Sequence, residues 1–243
     1  MGTIVRETGL ALRNCARIMA GVFVTDAQQS VPRRALDLLS RLSWELPQTL
    51  GGLLTALVFT ILHLYGGVRR VSFARGATVI STARSFGGAF TQGPFIIGDL
   101  HLEAGQTNVL FQHEYGHCLQ SRAMGWAYYP RVAVPSVLSL TPQHIHHPVE
   151  QDANRRAFAF FRGRGWDRKS NPLDSKRLAD LRITASWYDY AFWLLLPPFG
   201  PFAAGLIAAR SEGARVFYSI DAETWRMARV LMGDFFGGIV PEE

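Results

Sequence analysis

The sequence predicts an α+β fold that is mostly helical, with a small sheet directly before one long helix. Three observations favour this class. Residues 3–24 carry apolar positions at helical spacing, short β-type runs separated by glycines occupy residues 68–103, and a further helical pattern ends at Gly125. The chain has 243 residues, of which 48% are hydrophobic, so it can bury a core without disulfides, and its two cysteines exclude a disulfide scaffold.

The N-terminal part, residues 1–39, is predicted to be a helical segment. Three arginines interrupt the apolar positions of its first helix, which is typical of an amphipathic helix and not of a cleavable signal peptide. A second helix is predicted over residues 33–44, because Ser30 resembles a cap and Pro32 suits the first turn.

Two uncharged runs raise the question of membrane association. Residues 46–68 number 23, enough to span a bilayer, but their strongly apolar part, residues 53–64, suits a buried core helix equally well. The second run, residues 190–209, has a Pro-Pro-Phe-Gly-Pro centre that would break a spanning helix. Association with a membrane surface is therefore one expected partnership. The basic segment 155–182 carries no nucleic-acid motif, so no nucleic-acid partner is expected.

The small sheet is predicted from three β-type runs, which are Val71–Phe73, Thr78–Ser81 and Phe95–Ile97. After the sheet, Thr107 is the predicted cap of a helix that runs to about Met124. Gly125 is the predicted stop of this helix, because glycine commonly follows the last helical residue.

The most informative segment is His-Glu-Tyr-Gly-His at residues 113–117 of this helix. Four residues rotate a helix by about 400°, so His113 and His117 lie one turn apart on one face, and two imidazole nitrogens can reach one ion. Glu114 lies beside that face, where its carboxylate can take a proton from a metal-activated water. This arrangement is typical of zinc hydrolases, in which neutral imidazoles hold Zn²⁺. The alternative is a helix with two incidental histidines.

A third ligand must come from another part of the chain. Gln120 and Ala123 stand where the metzincin pattern requires Gly and His, which excludes that class. Pro148 suits the first turn of a further helix, on which Glu150 and Asn154 share one face. We predict that Glu150 completes a two-His, one-Glu site and that Asn154 orients an imidazole by accepting its free N–H. The alternative third ligands are Asp152, His144, His146 and His147.

The segment Glu150-x-x-Ala153-Asn154 after an HExxH helix resembles the gluzincin pattern of zinc metallopeptidases. In that family a Glu on a second helix ligates the metal and a following Asp supports the site, and Asn154 stands in the place of this Asp. The chain is more closely similar to small uncharacterised bacterial proteins and toxin-cassette domains with an HEYGH-x-LQS signature. That similarity rests on Trp44–Gly51, Gly93–Gly98, His113–Ser121, Pro135–Ser136 and the Glu150 segment.

The resemblance covers roughly residues 40–160 and implies a zincin-like metal-binding domain over residues 40–165. Residues 166–243 are predicted to be a helical extension to which the sequence assigns no role. A bacterial origin is implied, and we expect a cytoplasmic or membrane-associated location.

The predicted function is zinc-dependent hydrolysis of a peptide or protein. In this hypothesis His113, His117 and Glu150 hold Zn²⁺, and Glu114 is the general base. Support for a developing oxyanion is predicted from one of four side chains, which are His144, His146, Tyr128 and Tyr129. Two alternatives stay open: a catalytically inactive zincin-like binding module, and a membrane-associated protein that uses its histidines differently.

Overall fold

The structure is a computed structural model that describes residues 2–105, 107–139, 144–162, 183–186, 189, 208–212 and 215–219. Its architecture is the α+β fold predicted from the sequence, with a small sheet directly before the HExxH helix. The helices are α1 (Gly2–Gly21), α2 (Val31–Leu42), α3 (Leu46–Ile61), α4 (Val109–Met124), α5 (Val134–Leu138) and α6 (Pro148–Phe161). The strands are β1 (Val68–Ala74), β2 (Ala77–Thr82), β3 (Ala89–Gln92), β4 (Phe95–Gly98), β5 (Ala208–Glu212) and β6 (Arg215–Ser219).

The first four strands form one sheet in the order β1-β2-β4-β3. β1 and β2 make an antiparallel hairpin that turns at Arg75 and Gly76, both with positive φ, and β2 pairs in parallel with β4. β3 pairs antiparallel with β4 and forms one edge of this sheet. The sequence pattern does not predict β3, because four residues are too few to show a two-residue alternation.

Helices cover both faces of this sheet, because successive residues of β2 and β4 point to opposite faces. The first face packs against α4 and α6 in a buried cluster that includes Val79, Ile96, Phe111, Tyr115 and Phe161. The opposite face packs against α1 and α3 in a buried cluster that includes Ile18, Val22, Ala56, Ile80 and Phe95. The predicted N-terminal helical segment therefore shares its core with the sheet.

The uncharged run at residues 46–68 is not a single helix. α3 ends at Ile61, and after a 3-10 turn at Leu64–Gly66 the chain enters β1 at Val68. Within the part of the chain that the structure describes, no helix combines the length and the apolar character needed to cross a bilayer. Of the second uncharged run, residues 190–207 lie outside the described residues.

The predicted C-terminal extension, residues 166–243, is described only in part. β5 and β6 pair as an antiparallel hairpin, so these two segments are strand and not the predicted helix. Consecutive Val216, Phe217 and Tyr218 in β6 are residues that favour strands, which accounts for the difference. Apart from these strands, residues 183–186 and residue 189, the extension lies outside the described residues.

The Trp-Glu-Leu-Pro-Gln motif that begins at Trp44 holds the C-terminal end of α4. The buried Glu45 carboxylate accepts a hydrogen bond from the Ser121 hydroxyl at 2.9 Å, and the Gln48 amide donates to the carbonyl of Gly125. The Trp44 indole donates to a carbonyl in the last turn of α4 at 3.2 Å. Gly125 ends α4 as predicted, with a φ of 54°, and a side chain there would overlap the Trp44 ring. The motif thus fixes where α4 ends.

α4 and α6 pack closely because Gly116 has no side chain. A methyl group at Gly116 would overlap the backbone carbonyl of Ala153 on α6. Glycine is one of the residues that allow such a close approach of two backbones. Gly116 lies between His113 and His117 in the sequence, so the approach occurs at the level of the two histidines.

We expect Gly116→Ala to lower the free energy of unfolding by about 1–3 kcal/mol, because overpacking a close contact typically costs this much. Gly9→Ala on α1 is the matched control, since nothing lies within 4 Å of a Cβ at that position. The control should be neutral, or stabilising by up to about 1 kcal/mol through helix propensity. Urea unfolding followed by circular dichroism measures both changes, and equal destabilisation by the two would contradict the close helix packing.

Candidate metal centre

α4 presents His113 and His117 from the same face, one helical turn apart. The helix is capped by Asn108, whose side chain accepts from the backbone N–H of Phe111 at 2.9 Å, one residue after the predicted cap at Thr107. The two imidazole ring centroids lie 5.0 Å apart. The i, i+4 spacing therefore produces the side-by-side placement expected from the sequence.

Glu150 of α6 completes a group of three potential ligands. Pro148 is the first residue of α6, as predicted, and Glu150 follows in its first turn. Glu150 Oε2 lies 3.1 Å from Nε2 of His113 and 3.1 Å from Nε2 of His117. These three side chains could hold a metal ion, because their ligand atoms all lie within 4.8 Å of one another.

The second carboxylate oxygen of Glu150 is consistent with a role as a metal ligand. Oε1 is buried and has no hydrogen-bond partner among the described residues. An unpaired buried polar oxygen is costly, and a cation would satisfy it. The neighbouring group is His144, whose Nε2 lies 3.7 Å away.

The charges of the three side chains support one another. Burial by itself would lower the pKa of His117, but the Glu150 carboxylate outweighs burial and raises this pKa to about 9. Burial would likewise raise the pKa of Glu150, but the two imidazoles hold it well below its usual range. Without a metal, His117 is therefore protonated and Glu150 ionised at neutral pH, and a metal that binds here must displace the His117 proton.

The other alternative ligands make other contacts or are exposed. Asp152 accepts hydrogen bonds from Gln120 and from Arg156, at 2.9 and 2.8 Å. His147 precedes α6, and its Nδ1 accepts from the Val149 backbone N–H at 3.4 Å. His146 is exposed.

Amide oxygens orient both histidines. Asn154 Oδ1 lies 2.8 Å from His113 Nδ1, as the sequence predicts, and Gln120 Oε1 lies 2.7 Å from His117 Nδ1. An amide oxygen only accepts, so each Nδ1 carries the hydrogen, and each Nε2 faces Glu150. This is the orientation in which neutral imidazoles bind a metal through Nε2.

Gln120 is a further functional candidate, to which the sequence patterns assign no role at the site. Its Nε2 donates to the Val149 carbonyl and to the Asp152 carboxylate, both at 2.9 Å. These two acceptors fix the orientation of the amide, because only its nitrogen can donate. The oxygen must then face His117. The signal in the sequence is the position of Gln120 three residues after His117, on the same helical face.

Glu114 is buried beside the three potential ligands. Its Oε2 lies 2.7 Å from the hydroxyl of Thr91 on β3, and that hydroxyl also lies 3.1 Å from the Glu114 carbonyl. Arg122, on the same helix, forms an ion pair with Asp37, with 3.8 Å between a guanidinium nitrogen and Oδ2. The sequence does not point to Thr91, because its role depends on the short edge strand that the pattern does not predict.

An open cleft of about 380 Å³ exposes this group of side chains. Its wall includes all three potential ligands together with Glu114, residues of β3, and apolar side chains of α5. Because the ligands and the general-base candidate line the same cleft, a small molecule or a chain segment can reach them together.

Three of the four side chains predicted to support a developing oxyanion line the cleft. Tyr128 and Tyr129 line the cleft, where Tyr128 donates to the Thr91 carbonyl at 3.0 Å and Tyr129 to the Gln92 amide oxygen at 2.9 Å. Burial raises the pKa of both, to about 12 for Tyr129, so both hydroxyls are neutral donors at neutral pH. His144 also lines the cleft, whereas His146 is not among the described lining residues.

We expect the purified chain to bind about one zinc ion, and His113→Ala or His117→Ala to abolish this binding, because each removes one of three ligands. His101→Ala, which changes an exposed histidine, is the matched control and should leave zinc content unchanged. Glu150→Ala should weaken binding far more than Asp152→Ala. Elemental analysis of dialysed protein measures the content. Full retention of zinc in either histidine variant would contradict the site.

Gln120→Leu should weaken zinc binding by about 10–100-fold, because it removes the acceptor that orients His117. Asn154→Ala should have an effect of similar size through His113, and both effects should be smaller than that of Glu150→Ala. Competition with a fluorescent chelator measures the affinities, and urea unfolding of the metal-free proteins measures any general loss of stability. An unchanged affinity in Gln120→Leu would show that this amide does not orient the ligand.

Comparison of the chain with protein-family models, with curated proteins and with solved structures finds no match. A reaction can therefore be assigned to this site only from its geometry, from the chemistry of its side chains and from the spacing of its motifs.

Proposed function

We propose that the protein is a zinc-dependent hydrolase and, more specifically, a metallopeptidase. The observation that carries the proposal is the convergence of His113, His117 and Glu150 in one cleft with the Glu114 carboxylate on its wall. A structural zinc site has four protein ligands, whereas a catalytic site has three and leaves one position for water or substrate. Three ligands beside an open cleft favour the catalytic type.

The donor set favours zinc among the common metals. Two imidazole nitrogens and one carboxylate oxygen form a set that Zn²⁺ accepts in catalytic sites, whereas Mg²⁺ and Ca²⁺ prefer oxygen ligands. When bound, zinc supplies a Lewis acid that polarises a carbonyl and lowers the pKa of water. His113, His117 and Glu150 would hold it, and Asn154 and Gln120 would keep the two rings in place.

Glu114 is placed to move the proton. The Thr91 hydroxyl is within hydrogen-bond distance of one carboxylate oxygen, Oε2, which leaves the other oxygen to accept a proton from the attacking water. The same carboxylate then delivers that proton to the leaving amine, so that Glu114 ends the cycle ionised. His144, partly exposed at the cleft, could donate to a developing oxyanion. The neutral Tyr129 hydroxyl could do so only after it leaves the Gln92 amide oxygen.

The edge strand favours an extended peptide as the substrate. β3 pairs only with β4 in the sheet that the structure describes, and all four of its residues line the cleft. An extended peptide can add to such an edge through backbone hydrogen bonds, which would hold a peptide bond beside the metal centre. The resemblance to gluzincins and to the HEYGH-x-LQS proteins supports the same reaction, and the zincin-like assignment stays a prediction.

The test is Glu114→Gln. Glutamine keeps an oxygen that can accept from Thr91 but cannot take up a proton at neutral pH, so zinc content and the free energy of unfolding should not change. Turnover should fall by about 10²–10⁴-fold, the usual contribution of a general base. Glu103→Gln, which changes an exposed glutamate of the loop after β4, is the matched control and should retain full activity.

Zinc content and turnover of a peptide library are measured together for the wild type and both variants. Unchanged turnover in Glu114→Gln with unchanged zinc would refute the mechanism. Zinc binding without turnover in the wild type would favour the binding-module alternative.

A further inference from the structure

The helices that cover the other face of the sheet expose many large apolar side chains. α1 and α3 pack on the sheet through Ile18, Val22 and Ala56, which leaves their opposite sides facing outward. The outward side chains of α3 follow one another at spacings of three and four residues, and between 42% and 69% of each is exposed: Leu50, Leu54, Val58 and Ile61. Leu62, exposed by 64%, continues the row directly after the helix. This is one continuous apolar stripe on a helix without a single charged residue.

The outward side of α1 is apolar too, and arginines flank it. Leu12 and Met19 are exposed by 68% and 51%, and their spacing of seven residues places them on one helical face. Phe23, exposed by 63%, follows in the turn after α1. The arginines of α1 lie about 100–140° further round the helix; they are Arg6, Arg13 and Arg17. The only acidic residue of α1 is Glu7.

We infer that this surface, the outward side of α1 and α3, binds the surface of an anionic lipid bilayer. Single exposed apolar residues are ordinary, but a contiguous set of this kind marks an interaction site. An apolar stripe bordered by arginines matches the boundary between acyl chains and acidic headgroups, where a helix lies in the plane of the membrane. The apolar side chains enter the acyl region, and the arginines meet the lipid phosphates.

Charge argues for a bilayer over a second copy of the chain. A symmetric dimer through this surface would place the arginines of both copies in one interface, because a two-fold interface uses the same patch of each copy. The surface also lies across the sheet from α4 and α6, so binding to lipid does not involve the His113 cluster. The inference is therefore independent of the proposed reaction.

Flotation of the full chain with vesicles tests the inference. The protein should float with vesicles of phosphatidylcholine and phosphatidylglycerol, and less with phosphatidylcholine alone or in high salt, where screening weakens the attraction to anionic lipid. Leu54→Glu and Ile61→Glu should each lower partitioning by at least about tenfold, because each replaces an exposed apolar side chain that would enter the acyl region by a charged one. Leu100→Glu, at a 40% exposed leucine after β4, is the matched control and should float like the wild type.

The double variant Arg6→Gln, Arg13→Gln tests the electrostatic contribution to lipid binding. Each basic side chain near an anionic surface contributes roughly a fivefold increase in partitioning, so the pair should cost about 30-fold on anionic vesicles and little on neutral ones. Urea unfolding verifies that each variant is folded.

Three results would overturn the inference. The first is a wild type that does not float with anionic vesicles. The second is flotation that Leu54→Glu and Ile61→Glu leave unchanged. The third is loss of stability in these two variants without loss of flotation, which would show that another part of the chain covers the stripe. Sedimentation that reveals a dimer dependent on Leu54, in a protein that does not float, would assign the surface to a second copy.

Discussion

The site depends on the close packing of α4 against α6, and that packing depends on the absence of a side chain at Gly116. Two rings on one helix cannot form a three-ligand group by themselves, because the third ligand belongs to the neighbouring helix. Where a methyl group would overlap the Ala153 carbonyl, the bare backbone lets Glu150 Oε2 lie 3.1 Å from both imidazoles. The approach of Glu150 to the two histidines therefore depends on the glycine at residue 116.

This packing buries polar and charged groups, which is stable only if each finds a partner. Each of the two helices provides hydrogen-bond partners for the other. Gln120 of α4 reaches the first turn of α6, and Asn154 of α6 reaches back to His113. Glu150 Oε1 has no hydrogen-bond partner among the described residues, although Oε2 of the same carboxylate lies 3.1 Å from both imidazoles, and a cation would satisfy it.

Local signals in the sequence predicted much of the fold and of the site. Gly125, Pro148 and the i, i+4 histidines are signals that each concern a single helix. The end of α4, the start of α6 and the paired imidazoles therefore follow from the local sequence. Spacing does not predict Thr91 as the partner of Glu114, because this contact exists only after β3 packs against α4. Gln120 lies close to His117 along the chain, but the acceptors that orient its amide belong to α6. The motif at Trp44 was recognised by similarity alone; its contacts with the last turn of α4 join residues nearly 80 positions apart, which no helical or strand period encodes.

The same reasoning explains why the uncharged run at residues 46–68 admitted two interpretations. The absence of charge indicates that a segment can be buried, but it does not indicate which side of the segment is buried. In the structure the first part of the run is the helix α3, and its apolar residues are shared between a side that faces the sheet and an exposed side. Ala56 faces the sheet with no exposed area, while Leu54 and Ile61 on the other side are 60% and 69% exposed. A charged residue on the outward side would have identified a solvated helix, and the chain has none there. An apolar partner on each side accounts for the composition of α3: the sheet on one side and, in our inference, lipid on the other.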